Sequence, residues 1–127
     1  MPTPLQILSI EDDPEMRGLI QLIFERQGHR VVGAKRGDFG LEFIETLNPD
    51  VILLDLMLPD IDGWDIYRQL KASEDLSEIP VIIVSARSLE NDQKLGHQLV
   101  GNDRFVQKPF NIDHLVNTVN EVLAELN

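Results

Sequence analysis

Five side chains in this sequence could do chemistry, and each closes or directly follows a run of mostly apolar residues. Glu11 and Asp12 follow Leu5-Gln6-Ile7-Leu8-Ser9-Ile10, and Asp55 follows Val51-Ile52-Leu53-Leu54. Ser85 closes Val81-Ile82-Ile83-Val84, and Lys108 follows Arg104-Phe105-Val106-Gln107. Three carboxylates, one hydroxyl and one ammonium make an unbalanced set. Two carboxylates about 4 Å apart repel by roughly 4 kcal/mol at an effective dielectric of about 20. Three together need a cation or must take up protons. Lys108 offsets one charge and a hard divalent ion offsets two. Oxygen-only donors without His or Cys favour Mg²⁺ over zinc. A magnesium site open on one side suits phosphate chemistry. An ionised Asp can attack phosphorus to form an acyl phosphate, with the cation, the ammonium and the hydroxyl on the three phosphoryl oxygens.

This chemistry needs all the apolar runs to end at one edge of one sheet. Val51 to Leu54 reads as a strand buried on both faces. The loop Leu56-Met57-Leu58-Pro59-Asp60-Ile61-Asp62-Gly63 then turns the chain away. In open parallel sheets, ligands bind beyond the carboxyl ends of the strands. Helical patterns fill the intervals. Asp13 reads as an N-cap before Pro14, with Met16, Leu19, Ile20 and Ile23 at helical spacing and Gly28 as the stop. Arg30 to Ala34 reads as a weaker strand. Gly40, Phe43, Ile44 and Leu47 mark a second helix closed by Asn48-Pro49. A third helix begins after Gly63, with Ile66, Tyr67 and Leu70 inward. Asp60 and Asp62 read as turn and cap residues, and Trp64 as packing at that helix start.

Ser88 to Val100 reads as a fourth helix of low intrinsic stability, with Asn91, Asp92 and Gly96 inside it. The last helix carries the clearest stripe: Ile112, Leu115, Val116, Val119, Val122, Leu123 and Leu126. Strand and helix alternate five times, which implies right-handed βαβ units and a parallel sheet covered by helices. Periodicity leaves the strand order open.

The chain has 127 residues and 43% hydrophobic content, suited to one domain with one core over residues 1–127. It has no cysteine, which removes disulfides and thiolate metal sites. No apolar run is long enough to span a membrane, and the start lacks a signal-like core. A cytoplasmic location is the expectation. The formal charge is -11, from 22 acids against 11 Lys and Arg, so direct nucleic-acid binding is not expected. His29, His97 and His114 are scattered and read as surface residues.

Taken together, Ile7-Leu8-Ser9-Ile10-Glu11-Asp12-Asp13, Leu54-Asp55 with the loop to Gly63, Val84-Ser85-Ala86-Arg87 and Lys108-Pro109-Phe110 resemble the receiver domains of two-component response regulators, the CheY-like superfamily. The resemblance covers essentially the whole chain. It implies an α/β flavodoxin-like (βα)5 three-layer sandwich with sheet order 2-1-3-4-5. It implies Asp55 as phosphoacceptor and Mg²⁺ held by Glu11, Asp12, Asp55 and the Met57 backbone carbonyl. Ser85 and Lys108 contact the phosphoryl group, Ser85 and Phe105 form the switch, Lys108-Pro109 matches a cis peptide, and Pro59, Gly63 and Pro109 shape the loops. The partner is a sensor histidine kinase or histidine phosphotransfer protein, and the output surface is the fourth helix, fifth strand and fifth helix. The first helix, where Leu22 and Phe24 lie off the main apolar face, is the expected kinase dock. The chain is expected to be a stand-alone receiver or a piece of a longer protein.

Departures bear on assembly. Glu11 replaces the Asp of many members. Arg104 and Thr118 stand where members that dimerise through this surface carry an acid and an Arg, which puts that family's ionic dimer interface in doubt and leaves a phosphorylation-dependent homodimer open. Three other readings compete. An aspartate-nucleophile phosphohydrolase needs an acid two residues after Asp55, where this chain has Met57. A flavin module needs a Ser/Thr-rich phosphate loop where this chain has acids. A degenerate receiver would lack part of the set of acids, hydroxyl and lysine, which is intact here.

Overall fold

Strands that are apolar on both faces must be covered on both sides, and the helices between them provide that cover. The computed structural model describes residues 4–87, 99, 101 and 103–125. Strands β1 (Gln6–Ile10), β2 (Arg30–Ala34), β3 (Val51–Leu54), β4 (Val81–Ser85) and β5 (Arg104–Gln107) form one parallel sheet in the order β2-β1-β3-β4-β5. The described helices are α1 (Pro14–Arg26), α2 (Gly37–Leu47), α3 (Gly63–Ala72) and α4 (Ile112–Glu125), which is the helix expected fifth from the sequence. The expected helix over Ser88 to Val100 lies outside the described residues, apart from Leu99. Among the described residues no helix is long and apolar enough to cross a membrane.

Alternation along the strands sorts side chains into two cores. Leu8, Ile10, Ile52, Leu54 and Ile83 pack under α2 and α3 with Ile44, Ile66 and Leu70. Ile7, Leu53, Val84 and Val106 pack under α1 and α4 with Ile20, Leu115 and Val119. Each such side chain, fully buried, is worth roughly 1.5–3 kcal/mol. Phe24 belongs to the second core at 1% exposure, whereas Leu22 is half exposed. The expectation that both lie off the apolar face therefore holds for Leu22 alone. His29 also departs from a plain surface role. It is half-buried, and its Nδ1 accepts the Leu5 N–H at 3.2 Å. His114 is exposed, and His97 lies outside the described residues.

Local chemistry starts and stops the helices. Asp13 caps α1 by accepting the Glu15 N–H, and Asp62 caps α3 by accepting the Trp64 N–H. Past the end of α1, Gly28 adopts φ +89, a conformation that other residues rarely take. α2 has no cap of its own, since Arg36 at its N-cap makes no side-chain bond to the helix. Asp60 supplies one from the loop after β3, accepting the N–H groups of Gly37 at 2.8 Å and Asp38 at 2.9 Å. Asp60, in the bend of its own loop, thus also serves as a tertiary cap. Gly63 is required by close approach. A Cβ there would lie 2.4 Å from the Leu56 Cα and 2.6 Å from the Asp55 carbonyl oxygen.

At the lower edge of the sheet a buried polar latch joins α3, β4 and β5. Asp103, 6% exposed, accepts the Tyr67 hydroxyl at 2.5 Å and the Val81 N–H at 2.8 Å, and pairs with the Lys71 ammonium at 2.9 Å. Lys71 also donates to the carbonyls of Ser77 and Ile79. Removing one partner of a buried pair leaves an uncompensated charge and costs about 3–5 kcal/mol, whereas losing a helix cap costs about 1 kcal/mol. Urea denaturation is therefore expected to rank Asp103→Ala well below Asp60→Ala in stability, and both below the parent chain.

Candidate functional site

β1 lies between β2 and β3, so the chain leaves it in opposite directions and a crevice opens above the β1 and β3 ends. Ile10 and Leu54 are paired neighbours, which brings Glu11 and Asp55 side by side. Both continue the face covered by α1 and α4, and Lys108 reaches that face from the end of β5. Its ammonium lies 2.7 Å from Glu11 Oε1 and 3.0 Å from Asp55 Oδ2. The Met57 N–H donates to Asp55 Oδ1 at 3.0 Å. Glu11 and Asp55 are 2% and 5% exposed, whereas Asp12 is exposed. Each of the three offers a carboxylate oxygen, all within 4.8 Å of one another. A cleft of about 480 Å³ opens beside them, lined by Asp12, the Leu56–Asp62 loop and Arg87.

The electrostatics show a shortage of positive charge. Burial first, then the Asp55 carboxyl, push Glu11 up to about 8, against the opposing pull of Lys108. Burial works in the same direction on Asp55 but is outweighed by hydrogen bonds from Glu11, the Met57 N–H and Lys108, which hold it below the usual range. The pair therefore keeps one proton, on Glu11, and Asp55 is the ionised partner. Burial lowers Lys108, yet its bonds to Glu11 and Asp55 win and raise it, so it remains an ammonium.

The other expected site residues are arranged around this cluster. Ser85 is fully buried, and its hydroxyl accepts the Arg87 N–H at 3.4 Å. Its carbonyl accepts the Lys108 N–H at 2.9 Å, tying the ends of β4 and β5 together. Ser85 follows Ile83 on the face covered by α2 and α3. Phe105, half-buried and paired in register with Ile83, packs on that same side. Ser85 and Phe105 thus share a face, opposite the carboxylate–ammonium cluster. The Lys108–Pro109 peptide is cis. Met57 is 53% exposed, and Pro59 lines the cleft.

The sequence reading missed Arg17. Its guanidinium donates to the carbonyls of Glu11 at 2.9 Å and Asp12 at 3.1 Å, holding the acidic loop from one turn into α1. Its stem crosses Gly33 on β2, where a Cβ would lie 3.1 Å from Arg17 Cδ. An Arg in the first turns after an acidic loop is the signal that could have found it.

The family model for the response regulator receiver domain matches residues 7–120. The chain belongs to the response regulator receiver domain family. Protein PilH of Pseudomonas aeruginosa is 34% identical over 94% of this chain and 98% of its own length. The transcriptional regulatory protein AfsQ1 of Streptomyces coelicolor is 40% identical over 81% of this chain but 44% of its own length. The chain thus spans less than half of the latter and nearly all of the former. The receiver domain of the sensor histidine kinase PA1611 from Pseudomonas aeruginosa has TM-score 0.85 at 27% identity, covering 96% of this chain and 99% of that one. That structure has a magnesium ion coordinated in its active site cleft.

A carboxyl raised by burial has a definite effect on stability. The folded state holds a proton on Glu11 that the unfolded chain releases near 4.5, so this contribution is present below that value and lost as pH rises through about 8. The loss tied to Lys108 lies above its ordinary 10.5. In chelator, melting temperature is expected to fall as pH rises from about 5 to about 9, and Glu11→Gln to flatten that slope.

Proposed function

We propose that residues 1–127 are a phospho-accepting receiver domain of a two-component or phosphorelay system. In this reading Asp55 takes a phosphoryl group from a phosphohistidine of a sensor kinase or histidine phosphotransfer protein. The observation that carries the reading is the Lys108 ammonium bonded to both Glu11 and Asp55. It leaves Asp55 ionised and buried beside an open cleft, and Glu11 protonated for want of a second cation.

That deficit is also the test of fit for a metal. Two buried carboxylates with one proton between them, a third exposed beside them, and oxygen donors alone suit a hard divalent cation. Glu11, Asp12 and Asp55, with the Met57 carbonyl, would hold Mg²⁺. Bound there, it would neutralise charge on the carboxylates and on the phosphoryl oxygens. An Asp55 oxygen forms the bond to phosphorus, and the P–N bond of the donor breaks, its electron pair leaving with the imidazole. The Met57 N–H and Lys108 orient the Asp55 carboxylate before attack, and Lys108 then follows the charge onto a phosphoryl oxygen. The Ser85 hydroxyl gives up its weak contact with the Arg87 amide to reach another.

Movement of Ser85 frees space on the face it shares with Phe105, and an inward turn of Phe105 carries the change to the surface around β5 and α4. On that surface Arg104 is bound by Glu125 at 2.8 and 3.0 Å, and the Thr118 hydroxyl donates to the His114 carbonyl at 2.7 Å. This pattern does not favour an ionic homodimer there, so output to a different protein is the better supported reading. Near-complete coverage of PilH supports a stand-alone receiver, and partial coverage of AfsQ1 supports a domain of a longer regulator. A phosphohydrolase finds no support, because Met57 brings no acid to the position two after Asp55. The net charge of -11 argues against nucleic-acid contact by this domain.

Intact mass after incubation with acetyl phosphate tests the reading. One added phosphoryl group is expected with Mg²⁺, and none in chelator or in Asp55→Asn. A folded chain that binds Mg²⁺ and takes up no phosphoryl group would overturn it.

A further inference from the structure

Between β1 and α1 the chain leaves one hydrogen-bond system and enters another. On the strand side the Glu11 N–H donates to the Ala34 carbonyl of β2, and on the helix side the Arg17 N–H donates to the Asp13 carbonyl. The carbonyls of Glu11 and Asp12 fall between the two systems. Backbone acceptors call for donors, and here one nitrogen serves both. Arg17 Nη1 lies 2.9 Å from the Glu11 carbonyl oxygen and 3.1 Å from that of Asp12.

These two carbonyls belong to the peptide planes before and after the Asp12 Cα. Only two soft dihedrals join successive planes, so a donor bonded to both restrains the Asp12 backbone and the direction in which its side chain leaves it. Asp12 has little else to aim it. Its carboxylate is exposed, and among the described residues it makes no hydrogen bond or ion pair. Glu11 and Asp55, by contrast, are both held by Lys108. The bridging guanidinium is itself guided by β2. The three atoms nearest to a Cβ added at Gly33 would all be Arg17's, with Cδ at 3.1 Å, Cγ at 3.4 Å and Nε at 3.7 Å. The missing side chain leaves the Arg17 stem its path across the strand.

We infer that Arg17 is a positioning residue for the cation: by bridging the Glu11 and Asp12 carbonyls it holds Asp12 beside Glu11 and Asp55 in the geometry that takes Mg²⁺. The inference rests on the reading of these three acids as the Mg²⁺ site. Its sign separates it from a simple charge effect. A positive group near a cation repels it, so an Arg17 acting through its charge would weaken Mg²⁺ binding and its removal would tighten it. An Arg17 acting as a clamp does the reverse, as residues that orient metal ligands do.

Melting of the whole chain over a series of Mg²⁺ concentrations tests this. Each variant is referred to its own melting in chelator, which separates affinity from stability. Arg17→Met keeps an apolar stem over Gly33 and loses the donors. It is expected to bind Mg²⁺ about ten- to a hundredfold more weakly, and at saturating Mg²⁺ to take up one phosphoryl group from acetyl phosphate as the parent does. Gly33→Ala leaves the guanidinium in place and presses on its stem. It is expected to weaken Mg²⁺ binding by a smaller factor in the parent and by nothing further in Arg17→Met. An affinity that is unchanged or tighter in Arg17→Met would overturn the inference and leave the phosphoacceptor reading intact, and so would a loss from Gly33→Ala as large in Arg17→Met as in the parent. A parent chain whose melting Mg²⁺ does not raise would overturn the inference together with the cation site it rests on.

Discussion

One ammonium between two buried carboxylates organises this molecule. Lys108 meets Glu11 and Asp55 only because β5, β3 and β1 end at one edge, although 97 and 53 residues separate the lysine from its partners. The bridge is a charge balance that does not close: two acids face one cation, so a proton stays on Glu11. The same imbalance that weakens the resting site makes it receptive to a cation and leaves Asp55 as the group free to act. Burial keeps the interaction strong, since water would otherwise screen it.

The sheet divides the work between its faces. Glu11, Asp55 and Lys108 rise from the side covered by α1 and α4, and Ser85 and Phe105 from the side covered by α2 and α3. The two groups stand on opposite faces of the sheet, and their strands are joined at the rim where the Lys108 N–H is bonded to the Ser85 carbonyl. The loop after β3 serves both sides: Met57 holds Asp55, while Asp60 caps α2.

Much of this was legible in the sequence because the informative signals are local. Apolar runs, Asp13 and Asp62 as caps, and Gly28 as a stop each act within a few residues, and the strand-end residues could be read off directly. What escaped reading depends on contacts across the chain. Asp60 looks like a turn residue until the α2 amides it serves, 22 and 23 residues away, are in place. Phe24 looks misplaced on a helical wheel because α1 packs with a wider face than its main stripe suggests. Asp103 carries no local mark of its role, since its partners, a tyrosine, a lysine and the Val81 amide, are set by the tertiary fold. The strand order came from family resemblance, not from periodicity.

The latch of Asp103, Tyr67 and Lys71 sits at the opposite end of the sheet from the acidic cluster. It ties α3 to the starts of β4 and β5 with charge-assisted bonds shielded from water. Mechanically this is a fixed foot. If the rim takes a load as proposed, a strand anchored below would act as a cantilever, with displacement growing toward the tips that carry Ser85 and Lys108.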